Sequence, residues 1–290
     1  MIDNIERSNL RKPLLLVVSA AILSGFSGIL IRYMSIPPTS MAAVRTGIPF
    51  LIMGIVLIYQ GAPIFKSGYK WMLGASVINV LRMYTFFLAY IYTSIPNAII
   101  VLYTWPIFAT ILSVIFLKER ISRRQIGLLV LSFIGILIVY ADQTISIENR
   151  DFIGLSAGVI CAFSYASTII IFKSRTGDYK PTEMIFFQNL IPAMVFIPFL
   201  FFNTPMPTIL DWELSITHGI LIGVIMFFMF FHGLRQLPAS LTSMITYVEV
   251  VAAMLLGYFI LGEALTGSAM IGGGLIILST VLLRLPEKKT

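Results

Sequence analysis

The stretch Leu102-Tyr-Thr-Trp-Pro-Ile-Phe-Ala-Thr-Ile-Leu-Ser-Val-Ile-Phe-Leu-Lys-Glu-Arg120 decides how the chain is read. It is an apolar helix with a proline in its middle, and it stops in a charged turn. A second version stands at Tyr247-Val-Glu-Val-Val-Ala-Ala-Met-Leu-Leu-Gly-Tyr-Phe-Ile-Leu-Gly-Glu263. A shift of 144 positions pairs Tyr103 with Tyr247, Ala109 with Ala253, Leu112 with Leu256, Leu117 with Leu261 and Glu119 with Glu263. Both copies end in Leu-x-Glu with a hydroxyl residue three further on, Ser122 and Thr266. A duplicated unit of about half the chain follows as the expectation.

Composition names the solvent. Of 290 residues 58% are hydrophobic and only 11% are charged, against roughly 25% charged in soluble domains. A water-soluble fold has nowhere to hide that much apolar surface, so most of the chain is expected in lipid. The net charge of +7 sits in short segments between apolar runs, which is how orienting charges are distributed and not how a nucleic-acid surface looks. One cysteine, Cys161, excludes an internal disulfide and a multi-cysteine metal site. No cofactor is expected, and no cleavable signal peptide is needed, because no small-residue cleavage site follows the apolar run from Pro13.

A span needs about 20 mainly apolar residues. Counting runs of that length between polar breaks gives Pro13–Met34, Thr39–Tyr59, Lys70–Tyr92, Ile95–Leu117, Ser122–Ala141, Phe152–Phe172, Pro181–Phe202, Trp212–Leu234, Leu237–Leu261 and Thr266–Leu283. The polar segment Asp142–Asp151 joins two sets of five. The expected fold is therefore an all-α integral membrane protein with ten transmembrane helices as two inverted five-helix repeats, residues 1–146 and 147–290. Five is odd, so the second repeat enters the membrane from the other side. With the N-terminus inside, sixteen of the twenty Lys and Arg residues fall in inner segments. Arg32 and Arg150 fall outside, and Arg45 and Arg82 fall within spans. That asymmetry predicts cytoplasmic N- and C-termini.

At these residues the chain resembles the EamA family of the drug/metabolite transporter superfamily. The resemblance rests on Arg45 in the second span, Pro106 in the fourth, the Leu-Lys-Glu-Arg120 turn, Leu-Pro-Ala-Ser240 opening the ninth span, and Glu249 followed by Leu-Gly-Glu263. It covers essentially the whole length. It implies a ten-helix secondary carrier of small metabolites with a central cavity between the halves and spans five and ten outermost. The inside N-terminus and the short loops point to a bacterial inner membrane or its equivalent. The family often has Glu-Pro where this chain has Glu249-Val250, so a proline hinge is expected only in the first half, at Pro106.

Two charges carry the chemistry. Arg82 and Glu249 each lie roughly eleven or twelve residues from the inner ends of their spans, near the midplane at about 1.5 Å per residue. Each costs about 2.5–3.5 kcal/mol on insertion scales, so neither should face lipid. Either Arg82 receives a carboxylate or phosphate and Glu249 an amine or a coupling proton, or the two neutralise each other as a fixed ion pair. Asn79, Arg82, Phe86 and Tyr90 share one helical face, as do Thr242, Thr246 and Glu249. With Trp105 these residues form the candidate substrate site, although Thr and Asn side chains also serve as plain interhelical contacts. Arg45 and Pro106 are read as gate or structural residues, His218 and His232 as isolated, and Cys161 as an apolar filler.

A secondary transporter of a small zwitterionic metabolite, such as an amino acid or a nucleoside-bearing amino acid, is the leading expectation. Its partners would be that substrate, the bilayer, a coupling proton or counter-substrate, and a second copy in a homodimer. Proton-coupled export of cationic drugs is the alternative. An enzyme is disfavoured, because the chain has no paired aspartates, no His-Glu-x-x-His and no P-loop. A purely structural subunit would not need water-accessible charge at mid-depth.

Overall fold

The computed structural model describes residues 2–61, 63–142, 151–202 and 207–283, with side chains from residue 11 onward except that of residue 202. Most of the expected join, the orienting charges Arg150, Arg284, Lys288 and Lys289, and the side chain of Arg7 lie outside what is described. The helices run α1 (Ile2–Arg32), α2 (Pro38–Tyr59), α3 (Tyr69–Tyr92), α4 (Ile95–Leu102), α5 (Trp105–Leu117), α6 (Arg123–Val139) and α7 (Asp151–Ser174). They continue as α8 (Pro181–Phe196), a 3-10 turn (Ile197–Phe202), α9 (Ile209–His218), a π-helical segment (Gly219–Met226), α10 (Phe227–Gln236), α11 (Ala239–Ile245), α12 (Val248–Leu261) and α13 (Gly267–Leu283). No strand occurs among the described residues.

Eight helical stretches are long and apolar enough to cross a membrane, and Gly267–Leu283 is a shorter apolar helix. Two of the eight are not continuous. The stretch Ile95–Leu117 breaks at Tyr103-Thr104 into α4 and α5, and Ala239–Leu261 breaks at Thr246-Tyr247 into α11 and α12. Pro106 does not bend a helix; it occupies the first turn of α5, where its missing N–H has no intrahelical partner to lose. The second break carries no proline, so proline is not what sets either one. At both breaks the tyrosines meet: the Tyr247 hydroxyl donates to the Tyr103 carbonyl at 3.0 Å, and their rings lie 6.4 Å apart.

The 144-residue shift holds in the helix boundaries. It carries Ile95 to Ala239, Leu117 to Leu261 and Arg123 to Gly267, the first or last residues of α4, α5, α6, α11, α12 and α13. The turns after α5 and α12 match as well. Lys118 (φ 55°) and Gly262 (φ 68°) are both left-handed, and the next amides, Glu119 N and Glu263 N, donate to Ser113 O and Gly257 O, each at 3.2 Å. This left-handed cap satisfies carbonyls that a helix end leaves open.

Helix packing is dominated by α3 on α7, α2 on α8, α13 on α6 and α1 on α12 and α10. The Gly272 backbone lies so close to the Gly135 carbonyl that a Cβ added at Gly272 would stand 2.3 Å from that oxygen. Gly272 and Gly273 thus serve packing inside the chain, whereas a Cβ at Gly274 would meet open space. Residues such as Leu51, Ile58, Phe116, Phe259 and Met270 remain exposed, as apolar side chains on a lipid-facing surface do.

The two ends of the bundle differ in charge. At one end Arg124 Nη2 donates to Leu282 O at 2.7 Å, Lys173 Nζ donates to Leu234 O and Leu237 O at 2.7 Å each, and Lys66 pairs with the buried Glu183 at 2.5 Å. This basic end also holds Lys70, Arg175, Lys180 and Arg235. At the other end Arg32 pairs with Glu263, Ser35 N donates to Asp211 at 2.7 Å, the Thr93 hydroxyl donates to Asp151 at 2.6 Å, and Ser268 donates to Asp142. Arg32, which the charge count places in an outer segment, has a carboxylate partner.

Candidate functional site

The site is built on α3. Asn79 is buried, its amide Nδ2 donating to Gln188 O on α8 at 2.7 Å. Its carbonyl Oδ1 then accepts from Arg82 Nε at 2.6 Å, one turn along the same face. That bond aims the guanidinium over the Tyr165 ring of α7, 5.0 Å from its centroid, a geometry in which the ring quadrupole attracts the cation. Tyr165 in turn packs on Trp105, with centroids 4.5 Å apart. Asn79 and Trp105 therefore support Arg82 from behind. Phe86 and Tyr90 continue the face, their rings 4.8 Å apart.

Glu249 lies in the first turn of α12, just past the second helix break. The Ser24 hydroxyl of α1 lies within hydrogen-bonding reach of its carboxylate, and Arg45 of α2 within electrostatic reach. Arg45 is also within electrostatic reach of Arg82, Tyr165 and Cys161. Tyr90, Tyr103 and Tyr140 lie within electrostatic reach of the same carboxylate. Arg45, Arg82, Tyr165, Tyr90 and Glu249 are each partly accessible, while Thr246 and Val250 beside Glu249 are buried. These charged residues belong to spans whose ends lie well away in the chain, and each keeps some accessible surface.

Among the described residues no ion pair joins Arg82 to Glu249; the pairs formed are Arg32–Glu263, Lys66–Glu183 and Arg175–Asp178. Arg45, Arg82 and Glu249 come from three different helices and carry two formal positive charges against one negative. The arrangement offers two guanidiniums for an acid group and a carboxylate, with tyrosines in its electrostatic neighbourhood, for an amino group.

Not every expected residue joins this group. The hydroxyls of Thr242 and Thr246 are turned back onto Pro238 O (2.9 Å) and Ser243 O (2.6 Å) of their own helix, and both residues are buried. Tyr247 is fully buried. Pro106 sits in the first turn of α5. Arg45, read as a gate or structural residue, joins the charged group, and Cys161 lies within hydrogen-bonding reach of Thr85 and electrostatic reach of both arginines. Four contributors were missed: Ser24, Tyr140, Ser27 and His218, the last two bonded at 2.8 Å. Ser24 and Ser27 stand three apart on α1, a spacing that places them on one face. Nothing in the local sequence of Tyr140, on a helix expected to be outermost, marks it. No cluster of His, Cys, Asp and Glu able to hold a metal ion occurs among the described residues.

Similar proteins agree with this architecture. The model of the EamA-like transporter family matches residues 11–141 and 152–285. An uncharacterized transporter of Archaeoglobus fulgidus is 25% identical over 92% of this chain and 94% of its own length. A pseudopaline exporter of Pseudomonas aeruginosa is 22% identical, covering 96% and 98%. An S-adenosylmethionine uptake transporter of Rickettsia bellii is 26% identical, covering 84% and 76%. A crystal structure with 17% sequence identity superposes with a TM-score of 0.81 over 94% of this chain and 98% of that one, which shows a shared fold. With its model matched on both sides of the join, the chain belongs to the EamA-like transporter family.

Proposed function

We propose that the protein is a secondary carrier of a small organic metabolite bearing both an amino and an acid group, moved by alternating access about the Arg45, Arg82 and Glu249 cluster. The observation that carries this reading is a guanidinium, Arg82, positioned by Asn79 and Tyr165 and given no carboxylate partner within the described protein. A charge held that far from either end and left unpaired is costly, and a substrate acid group offsets the cost when it binds. The named relatives that handle pseudopaline and S-adenosylmethionine support a small-metabolite substrate.

In this reading the chain crosses the membrane ten times as two inverted five-helix repeats, with α6 and α13 as the short outer pair. The coincidence of helix boundaries under the 144-residue shift and the two matched segments support it. The basic end faces the cytoplasm of a bacterial inner membrane, and both termini lie there. A coupling proton on Glu249, or a counter-substrate, drives the cycle. Export of cationic drugs is the second reading: the tyrosines around Glu249 favour it, and the two arginines oppose it.

The test is purified protein in liposomes, challenged with a pooled labelled panel of zwitterionic and cationic metabolites with and without a proton gradient. Accumulation of zwitterions that is lost in Arg82→Ala supports the proposal. Undiminished zwitterion transport in that variant overturns the acid-group clamp, and selective transport of cations establishes the second reading.

A further inference from the structure

The matched turns after α5 and α12 present carboxylates that do different things. Glu119 reaches across to the start of α11 and accepts from Ala239 N at 2.6 Å, Ser240 N at 3.1 Å and the Ser240 hydroxyl at 2.7 Å. It thereby supplies the acceptors that the first amides of a helix lack, and α11 packs on α5. Glu263 stands at the corresponding place in the second copy, behind the same left-handed turn. Its carboxylate instead folds back over Gly257 and pairs with Arg32, both side chains more than half exposed. The half-helix it would meet is α4, whose start corresponds to that of α11 under the same shift. That helix packs on α7 and α3, and its Asn97 amide is served by its own Ser94. The basic end is therefore fastened by a carboxylate from one half on a half-helix of the other, and the equivalent fastening at the opposite end is undone.

We propose that Glu119 and Glu263 are alternate latches, each capping the half-helix of the other repeat at its own end, with only one engaged at a time. The inference rests on the alternating-access reading above. In the state described here the Glu119 latch is closed, and the site communicates with the end that carries Arg32 and Glu263. In the other state Glu119 releases Ala239 and Ser240, while Glu263 leaves Arg32 for the Ile95 N–H and the Ser94 hydroxyl. Pro96 has no N–H to offer, so the second latch has fewer donors and the resting balance favours the first. The difference at residues 113 and 257 fits this exchange: Gly257 leaves room for Glu263 to lie back on its own helix, and Ser113 occupies that room beside Glu119.

The experiment places spin-label pairs on full-length protein in lipid nanodiscs, in a Cys161→Ala background. One pair, Arg120→Cys with Gln236→Cys, spans the basic end; the other, Ile95→Cys with Ala264→Cys, spans the opposite end. The expected result in the parent is a short separation at the first pair and a long one at the second. Glu119→Gln should lengthen the first and shorten the second, and adding Glu263→Gln should abolish the shortening. Ser240→Ala, which removes one of the three bonds, should move both distances the same way by less, and it serves as the test if Glu119→Gln does not fold. Unchanged distances in both variants overturn the latch. Lengthening at 120/236 without shortening at 95/264 overturns the exchange with Glu263. Neither result touches the transport site, which fails separately if water never reaches residues 82 and 249.

Discussion

Arg82 is held by three neighbours that each do a different job: Asn79 fixes Nε, Tyr165 faces the cation, and Trp105 backs the ring. None of them neutralises it. Hydrogen bonds to charged groups contribute about 1.5–3 kcal/mol each, and 1.4 kcal/mol is about tenfold in affinity. Arg82→Gln, which keeps polarity and loses charge, should therefore lower initial uptake of the transported substrate by about 10- to 100-fold at equal protein incorporation. A variant with unaltered uptake would remove Arg82 from the site. Much of this constellation was legible in the sequence, because a charge inside an apolar run needs a reason and the face Asn79, Arg82, Phe86, Tyr90 has helical spacing. Arg45 was read as a gate or structural residue, and its electrostatic reach to Arg82 and Glu249 was not legible, because the sequence does not show where a long side chain extends. The threonines misled because a hydroxyl on a helix finds its partner one turn back, as Thr242 and Thr246 do.

At the scale of elements, the half-helices matter more than the prolines that seemed to announce them. Pro106 begins α5, and the ninth-span break at Thr246-Tyr247 arises without any proline. The shared feature is the Tyr103–Tyr247 contact, a packing fact that no single stretch encodes. Glu119 was equally hidden, because its partners are backbone amides about 120 residues away, and an amide has no residue identity to read. The repeat itself was visible, as were the turns that end α5 and α12. Glycines at helix contacts were also legible in kind. Gly272→Val would drive a side chain into the Gly135 carbonyl and Val139, an overpacking that costs about 1–3 kcal/mol. The expected result is a lowered melting temperature in detergent with the transport site intact; an unchanged melting temperature would mean that α6 and α13 are free to separate.

For the molecule as a whole, the separation of basic and acidic ends is what orients the account. If the basic end faces the cytoplasm, a cysteine introduced at Lys70 should react with an impermeant reagent only when the cytoplasmic face is open to it, and one at Ile95 only from the other face. Reaction of both from one side would break the ten-crossing reading. Hydropathy and charge made the membrane fold readable from the start, since about 20 apolar residues per crossing leave few alternatives. Which end of the central opening meets water was not readable, because it depends on which carboxylate, Glu119 or Glu263, has found its helix.

The central claim is that a charged site at mid-depth is reached by water and by a guest from one end at a time. Its most direct measurement is sided labelling of single cysteines at positions 82 and 249, in Cys161→Ala protein in oriented vesicles, with a membrane-impermeant thiol reagent. The account predicts reaction at both positions from the face carrying Arg32 and Glu263, and none from the basic face while Glu119 caps α11. No reaction at either position from either face, with a cysteine at Ile95 labelling normally, would mean that the arginines and the glutamate sit in a dry core, and it would contradict the account.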